Sequence, residues 1–189
     1  MSGRNTAIRS LHDLGLAAWF GGSLMGAVGL NGAARQKGAT ETAQARIASA
    51  GWAQWVPVSA AAIGAHLYGG GGLLAANAHR VARQKGVAAS TTAKTVITAA
   101  ALATTAYARI LGKKIELASS SDPQDTAQAT QHSIDTDRAR RQLACVQWAV
   151  PALTGSLVVL NALHGEQQRP SEQLRGMWDR ACSMTPLMH

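Results

Sequence analysis

Charge is what this sequence has least of. Asp, Glu, Lys and Arg make up 15% of the residues, where a soluble domain carries about 25%. Phenylalanine occurs once, and aromatic residues as a class reach only 4%. Large apolar side chains do not simply take the place of the missing charge, because alanine is by far the commonest apolar residue, with 19 glycines beside it. The mean hydropathy of -0.02 therefore resembles that of a soluble protein, and the average conceals how charge is distributed along the chain. Catalytic signatures are absent too: there is no GxSxG, HExxH, GxxxxGK[ST] or CxxC, which removes every specific claim of hydrolase, zinc-protease, P-loop or dithiol chemistry. Cys145 and Cys182 have no spacing that argues for a disulfide and read as small apolar side chains.

The charges that exist are segregated. Leu14 to Ala34, Ile47 to Ala78, Thr95 to Ala108 and Gln142 to Gly165 contain no Asp, Glu, Lys or Arg. An amphipathic helix of a soluble bundle carries a charge every turn or so on its wet face, and these stretches carry no charge at all. The expected fold is all-α, a bundle of four transmembrane helices over about 11–34, 55–78, 94–111 and 142–164, forming one membrane domain (1–165) followed by a surface tail (166–189) that could carry a short interfacial helix. The third span is the weakest, since its charge-free core of 14 residues covers only about 21 Å of a hydrocarbon layer of about 30 Å. Lys94 and Arg109 could snorkel from its ends, or the segment could tilt. The formal charge of +8 sits in short clusters beside the spans, where membrane insertion places Lys and Arg, so the partner it implies is a lipid bilayer and not nucleic acid.

Local signals refine this outline. Ser10 suits an N-cap for helix one, and the length of the first apolar run favours an uncleaved helix over a signal peptide. The stretch from Arg35 to Arg46 reads as a short loop or surface helix. Trp52 and Trp55 read as an interfacial pair, with Pro57 in the first turn of helix two. Gly69 to Gly72, inside that helix, mark close packing or a break. The polar run Ser119 to Asp125 reads as a loop, and a charged helix from about Asp135 runs into helix four. No internal repeat stands out. Four spans put both termini on one side, and although each side carries nine basic residues, the compact Arg80–Lys85 loop favours cytoplasmic termini in a plasma membrane.

Candidate functional residues fall into three groups. Two small-residue stripes, Ala18–Gly22–Gly26 and Ala61–Ala65–Gly69, suit close packing, either between helices one and two or against another subunit. His66 lies near the middle of helix two, where an ionisable group marks a site or a hydrogen-bonded partner. Topology gathers His12, Asp13, His79 and His164 at one interface, where they are candidate metal ligands, and with His66 the histidines are candidates for cofactor or haem ligation. Ordinary interfacial histidines are the alternative, and no cofactor is implied outright. Gln147, Thr154 and Asn161 recur every seven residues on helix four, a polar seam that lines a path in a transporter or joins helices in a structural subunit.

The segment Leu11-His12-Asp13-Leu14-Gly15-Leu16-Ala17-Ala18-Trp19-Phe20-Gly21-Gly22 resembles the first helix of four-helix bacterial membrane families, including copper-resistance CopD-like and DUF4149-type proteins, with His12, Trp19, Gly21 and Gly22 matching their pattern. More broadly, the chain, including Gly51-Trp52, Gly64-Ala65-His66 and His164 to Pro170, resembles an uncharacterised multi-pass membrane family of high-GC Gram-positive bacteria. The resemblance implies location and architecture, and no activity. Three functions follow as expectations: first an accessory or structural subunit of a membrane complex, then a small-molecule or metal-ion transporter, then a haem- or metal-binding membrane protein. An enzyme is the less favoured class.

Overall fold

The computed structural model describes residues 6–83, 85–131 and 134–167, and contains only helices and short turns among them. Four of the helical stretches are long and apolar enough to cross a membrane: Thr6–Lys37, Glu41–Ala76, Gly86–Ser119 and Thr136–Leu163. Between 11 and 28% of each apolar window is buried within the bundle, and Leu14, Tyr68, Val96 and Val159 are more than half exposed. A bundle dissolved in water would have to leave all of that apolar surface wet.

The first of these stretches is built from α1 (Thr6–Met25), a π-helical turn (Gly26–Leu30) and α2 (Asn31–Lys37). It is already helical at Thr6, so Ser10 lies inside the helix and does not cap it. In the π turn the Asn31 N–H donates to the Gly26 carbonyl five residues back. One extra residue in a turn rotates everything after it by about a quarter-turn or more. The inward row therefore continues through Asn31 and buried Ala34, while Ala33 faces out.

Helix α3 (Glu41–Ala76) starts well before the expected Trp55. The reason is local: Thr40 is an N-cap whose Oγ1 accepts from the Ala43 N–H at 3.1 Å, with Glu41 in the first turn, where the helix dipole favours a carboxylate. The stretch from Arg35 to Arg46, read as a short loop or surface helix, is thus helical except for the turn 38–40. Pro57 consequently sits in the helix interior, on an exposed face. The Gly69–Gly72 run stays helical, and the helix ends at Asn77, whose Nδ2 donates to the Leu73 carbonyl at 2.8 Å.

After the short α4 (Ala78–Arg83), α5 (Lys85–Ser119) contains 35 residues. The helix extends beyond the expected span 94–111 at both ends, from Lys85 before it and to Ser119 after it. The polar run after it is also mostly helical: α6 (Pro123–Gln131) begins with proline in its first position and with the Asp122 carboxylate accepting from the Gln124 N–H at 2.8 Å. Helix α7 (Thr136–Gln167) opens with Asp135 accepting from the Arg138 N–H at 2.9 Å and runs from its charged first turns into the fourth span, as expected.

Antiparallel α1 and α3 form the most extensive pair, followed by α5 and α7; α1 also leans on α7, whereas α3 and α5 meet sparsely. A mid-bundle core joins Trp19, Ala101 and Val150, and a second core joins Ala45, Leu111, Ile115 and Ala139 towards the α2–α3 turn. At that end the Arg46 Nε donates to the Ser119 carbonyl at 2.6 Å, and Arg140 pairs with Glu41.

Candidate functional site

The α1–α3 crossing is built on the same four-residue pattern used twice. His12 and Gly15 on α1 face Gly69 and His66 on α3, so that each helix contributes a His-x-x-Gly. A Cβ on Gly15 would lie 2.5 Å from the His66 nitrogen, and one on Gly69 would lie 2.6 Å from the His12 nitrogen. No side chain fits at either place, so the two backbones touch. Each imidazole then lies over the crossing and bonds to the other histidine's backbone: His12 Nδ1 to the His66 carbonyl at 2.9 Å, His66 Nδ1 to the His12 carbonyl at 3.1 Å. A carbonyl only accepts, so each Nδ1 carries a proton and donates it. The rings stack with centroids 4.1 Å apart, and the Trp19 ring meets His66 edge-on at 6.1 Å. Rings stacked in this way cannot ligate one iron from opposite sides. Their geometry is that of a clamp that satisfies two polar side chains in an apolar bundle.

Further along the pair, glycine faces tryptophan. The rings of Trp55 and Trp52 lie against Gly22 and Gly26, where a Cβ would collide with them. Trp52 Nε1 donates to Asn31 Oδ1 at 3.0 Å, and Asn31 Nδ2 donates to Gln147 Oε1 at 2.8 Å, so α3, α2 and α7 are joined by one chain of bonds. Trp19 Nε1 donates to Thr105 Oγ1 at 3.2 Å, tying α1 to α5. Among the described residues no buried side-chain polar atom lacks a partner.

These tryptophans wall a cavity of about 430 Å³ between α1, α3, α5 and α7. Its origin is a mismatch in side-chain size. Trp52 and Trp55 project from α3, while α5 presents Ala106, Ala108 and Gly112 at the same seam and fills little of the space. The inner end, at Trp19, Ile63 and Leu102, is apolar; towards the α2–α3 end the lining includes Arg109 and Glu116.

The expected site residues are divided by this geometry. His12 and His66, assigned to different groups by sequence, are brought together. Asp13 is exposed and within electrostatic reach of His66 and Lys94. His79 is exposed on α4, and His164 is on the last turns of α7 with its side chain outside the described residues. Among the described residues no group of three or more His, Cys, Asp or Glu could hold a metal ion. Gly22, Gly26 and Gly69 are contact points of the α1–α3 pair, and Ala18 and Ala65 are half-buried, but Ala61 faces outward. The contact row on α3 runs through Ala62, His66 and Gly69 instead. Of the polar seam, Gln147 bonds to Asn31, Thr154 is fully buried with its hydroxyl on the Val150 carbonyl at 2.8 Å, and Asn161 is half-buried. Trp52 and Trp55, read from sequence as an interfacial pair, are half-buried and line the cavity. The tail 168–189, with Cys182, lies outside the described residues; Cys145 is free and exposed. Sequence reading passed over Asn31, Thr105 and the twin His-x-x-Gly, although the last was visible as a repeated pattern. No protein-family model, no curated protein and no solved structure matches this chain.

Proposed function

We propose that the chain is a multi-pass plasma-membrane protein that binds one small amphipathic molecule in the cavity between its four long helices, with its termini on the cytoplasmic side and no catalytic step. The observation that carries this reading is the tryptophan-walled cavity of about 430 Å³, within the range of small-molecule sites, about 300–1,000 Å³. Its inner wall includes Leu102 and Thr105, which belong to a charge-free stretch, so a bound molecule would sit at the depth of the hydrocarbon. The Nε1 groups of Trp19 and Trp52 already donate to Thr105 and Asn31, leaving ring faces as the main contact surface. Such walls favour an apolar body over a polar one. The cavity favours a binding protein over a purely architectural subunit, whose packed helices would have no use for unfilled space.

Two measurements test the reading. The protein should stay with the membrane pellet after an alkaline carbonate wash; release into the supernatant would end the proposal at its first step. In neutral nanodiscs, a bromine-labelled single-chain amphiphile should quench the tryptophan fluorescence saturably, and the saturable part should vanish when Ala106→Trp fills the seam. Quenching that rises linearly with the amphiphile and is indifferent to Ala106→Trp would mean that the cavity holds nothing.

A further inference from the structure

From the charges around the cavity we infer that its occupant is a single-chain carboxylate amphiphile, whose head is held by Arg109 and whose chain runs inward past Trp55 to Trp19. The inference rests on the binding function just proposed and adds the chemical class of the ligand.

Two ionisable side chains line the cavity, Arg109 and Glu116, both on α5. Glu116 already has a partner, Lys113, at 2.7 Å. Arg109 makes no ion pair among the described residues, and it stands directly after the charge-free stretch Thr95 to Ala108. A lone guanidinium at the boundary of an apolar cavity attracts an anion, and its planar fork matches the two oxygens of a carboxylate. The amides nearest the cavity, Asn31 and Gln147, bond to each other and to Trp52, so they do not compete for that head.

Beyond the head the space suits a chain. Arg109 and Leu102 are seven residues apart on one helix, or about 10 Å along its axis, and the wall between them is Thr105 and Ala106 facing the α3 tryptophans. A volume of about 430 Å³ is at the small end of ligand sites, which suits one chain of medium length and leaves no room for the second chain of a phospholipid. The amphiphile would therefore enter head-outward, with the carboxylate towards the α2–α3 end.

The full-length protein in phosphatidylcholine nanodiscs is titrated with 11-bromoundecanoate and, separately, with its uncharged methyl ester, reading tryptophan quenching. The carboxylate should bind about tenfold more tightly than the ester, as a charge-assisted hydrogen-bonded pair requires. Arg109→Gln should bring the acid down to the ester's affinity without moving the ester, and Arg109→Lys should restore part of the preference. Equal saturable binding of acid and ester by the unmodified protein overturns the carboxylate assignment while leaving the binding function intact. A preference that survives Arg109→Gln overturns the role of Arg109. If neither compound quenches saturably, the binding function fails, and this inference fails with it.

Discussion

The α1–α3 and α3–α5 seams share a helix and differ in almost everything else. Along the first, glycines take the close contacts: the His12 and His66 backbones lie against Gly69 and Gly15, and the rings of Trp55 and Trp52 against Gly22 and Gly26. Along the second, the same tryptophans face alanines and Gly112 across a gap. Close approach in lipid comes from pairing large with small at the same level, since lipid removes the hydrophobic drive that would otherwise pull helices together. Where the tryptophan rings lie against Gly22 and Gly26 and α5 offers only Ala106, Ala108 and Gly112 from the other side, the result is space. The close backbone crossing and the cavity thus both follow from one helix, α3, seen from two sides.

The sharpest way to break the contrast is to put a methyl group into the tight seam. Gly69→Ala or Gly15→Ala would drive a Cβ against backbone atoms that cannot move aside, forcing the helices apart. The expected loss is about 2–4 kcal/mol, read as a lowered midpoint of thermal unfolding in detergent. Gly64→Ala and Gly71→Ala on the same helix meet nothing within 4 Å and should be neutral or slightly stabilising, because alanine is the better helix former. If all four substitutions behaved alike, the backbone contact at the His-x-x-Gly crossing would not exist.

Next in size is the histidine clamp. Removing either ring deletes one bond outright and, by unstacking the other ring, weakens the second. His12→Ala and His66→Ala should each cost about 1–3 kcal/mol, and the double variant should cost clearly less than the sum. The coupling is the informative quantity. Strict additivity in a double-mutant cycle would show two independent side chains, contrary to the reciprocal Nδ1-to-carbonyl bonds.

Much of the architecture was legible because charge is a one-dimensional signal. Uncharged runs marked all four long apolar helices, and the small residues Gly22, Gly26 and Gly69 announced close packing. Helix limits were less legible. The sequence around Trp52, Trp55 and Pro57 looks like an interface and a helix start, yet Thr40 and Glu41 supply a stronger start upstream, and a proline facing outward can be carried inside the helix. The short charge-free core of the third span was misleading for the same reason: Lys113, Lys114 and Glu116 tolerate the helical turns that extend it. The site was less legible still. His12 and His66 are separated by 54 positions, and only the antiparallel register brings their carbonyls within reach of each other's rings. Asn31 is turned inward by a π turn that no residue pattern announces. The cavity depends on side-chain sizes compared across helices that are far apart in the chain.

The Trp52–Asn31–Gln147 chain offers a smaller, separable perturbation. Asn31→Leu keeps the branched shape but leaves the Trp52 N–H without its acceptor and the Gln147 Oε1 without its donor in a region of low polarity. Interhelical bonds of this kind are worth about 0.6–2 kcal/mol in membranes, so the unfolding midpoint should fall by less than for Gly69→Ala. The Trp52 emission should also shift as its N–H loses its acceptor. Unchanged stability and emission together would mean that the amide chain is not formed.

The smallest expected effect on stability is the one that bears most on function. Gly112→Leu adds a large side chain to α5, but a Cβ there meets nothing within 4 Å, and the residue lines the cavity. The same change that would disrupt the α1–α3 seam should therefore fold with a stability within about 0.5 kcal/mol of the original, or above it, since burying apolar surface in a void is favourable. The same variant should lose the saturable quenching by a chain-bearing ligand. Retained stability with lost binding identifies the gap as a site kept open by small residues. A large loss of stability would show instead that the α3–α5 seam is already closed, and that its alanines and Gly112 serve the same packing role as the glycines of α1.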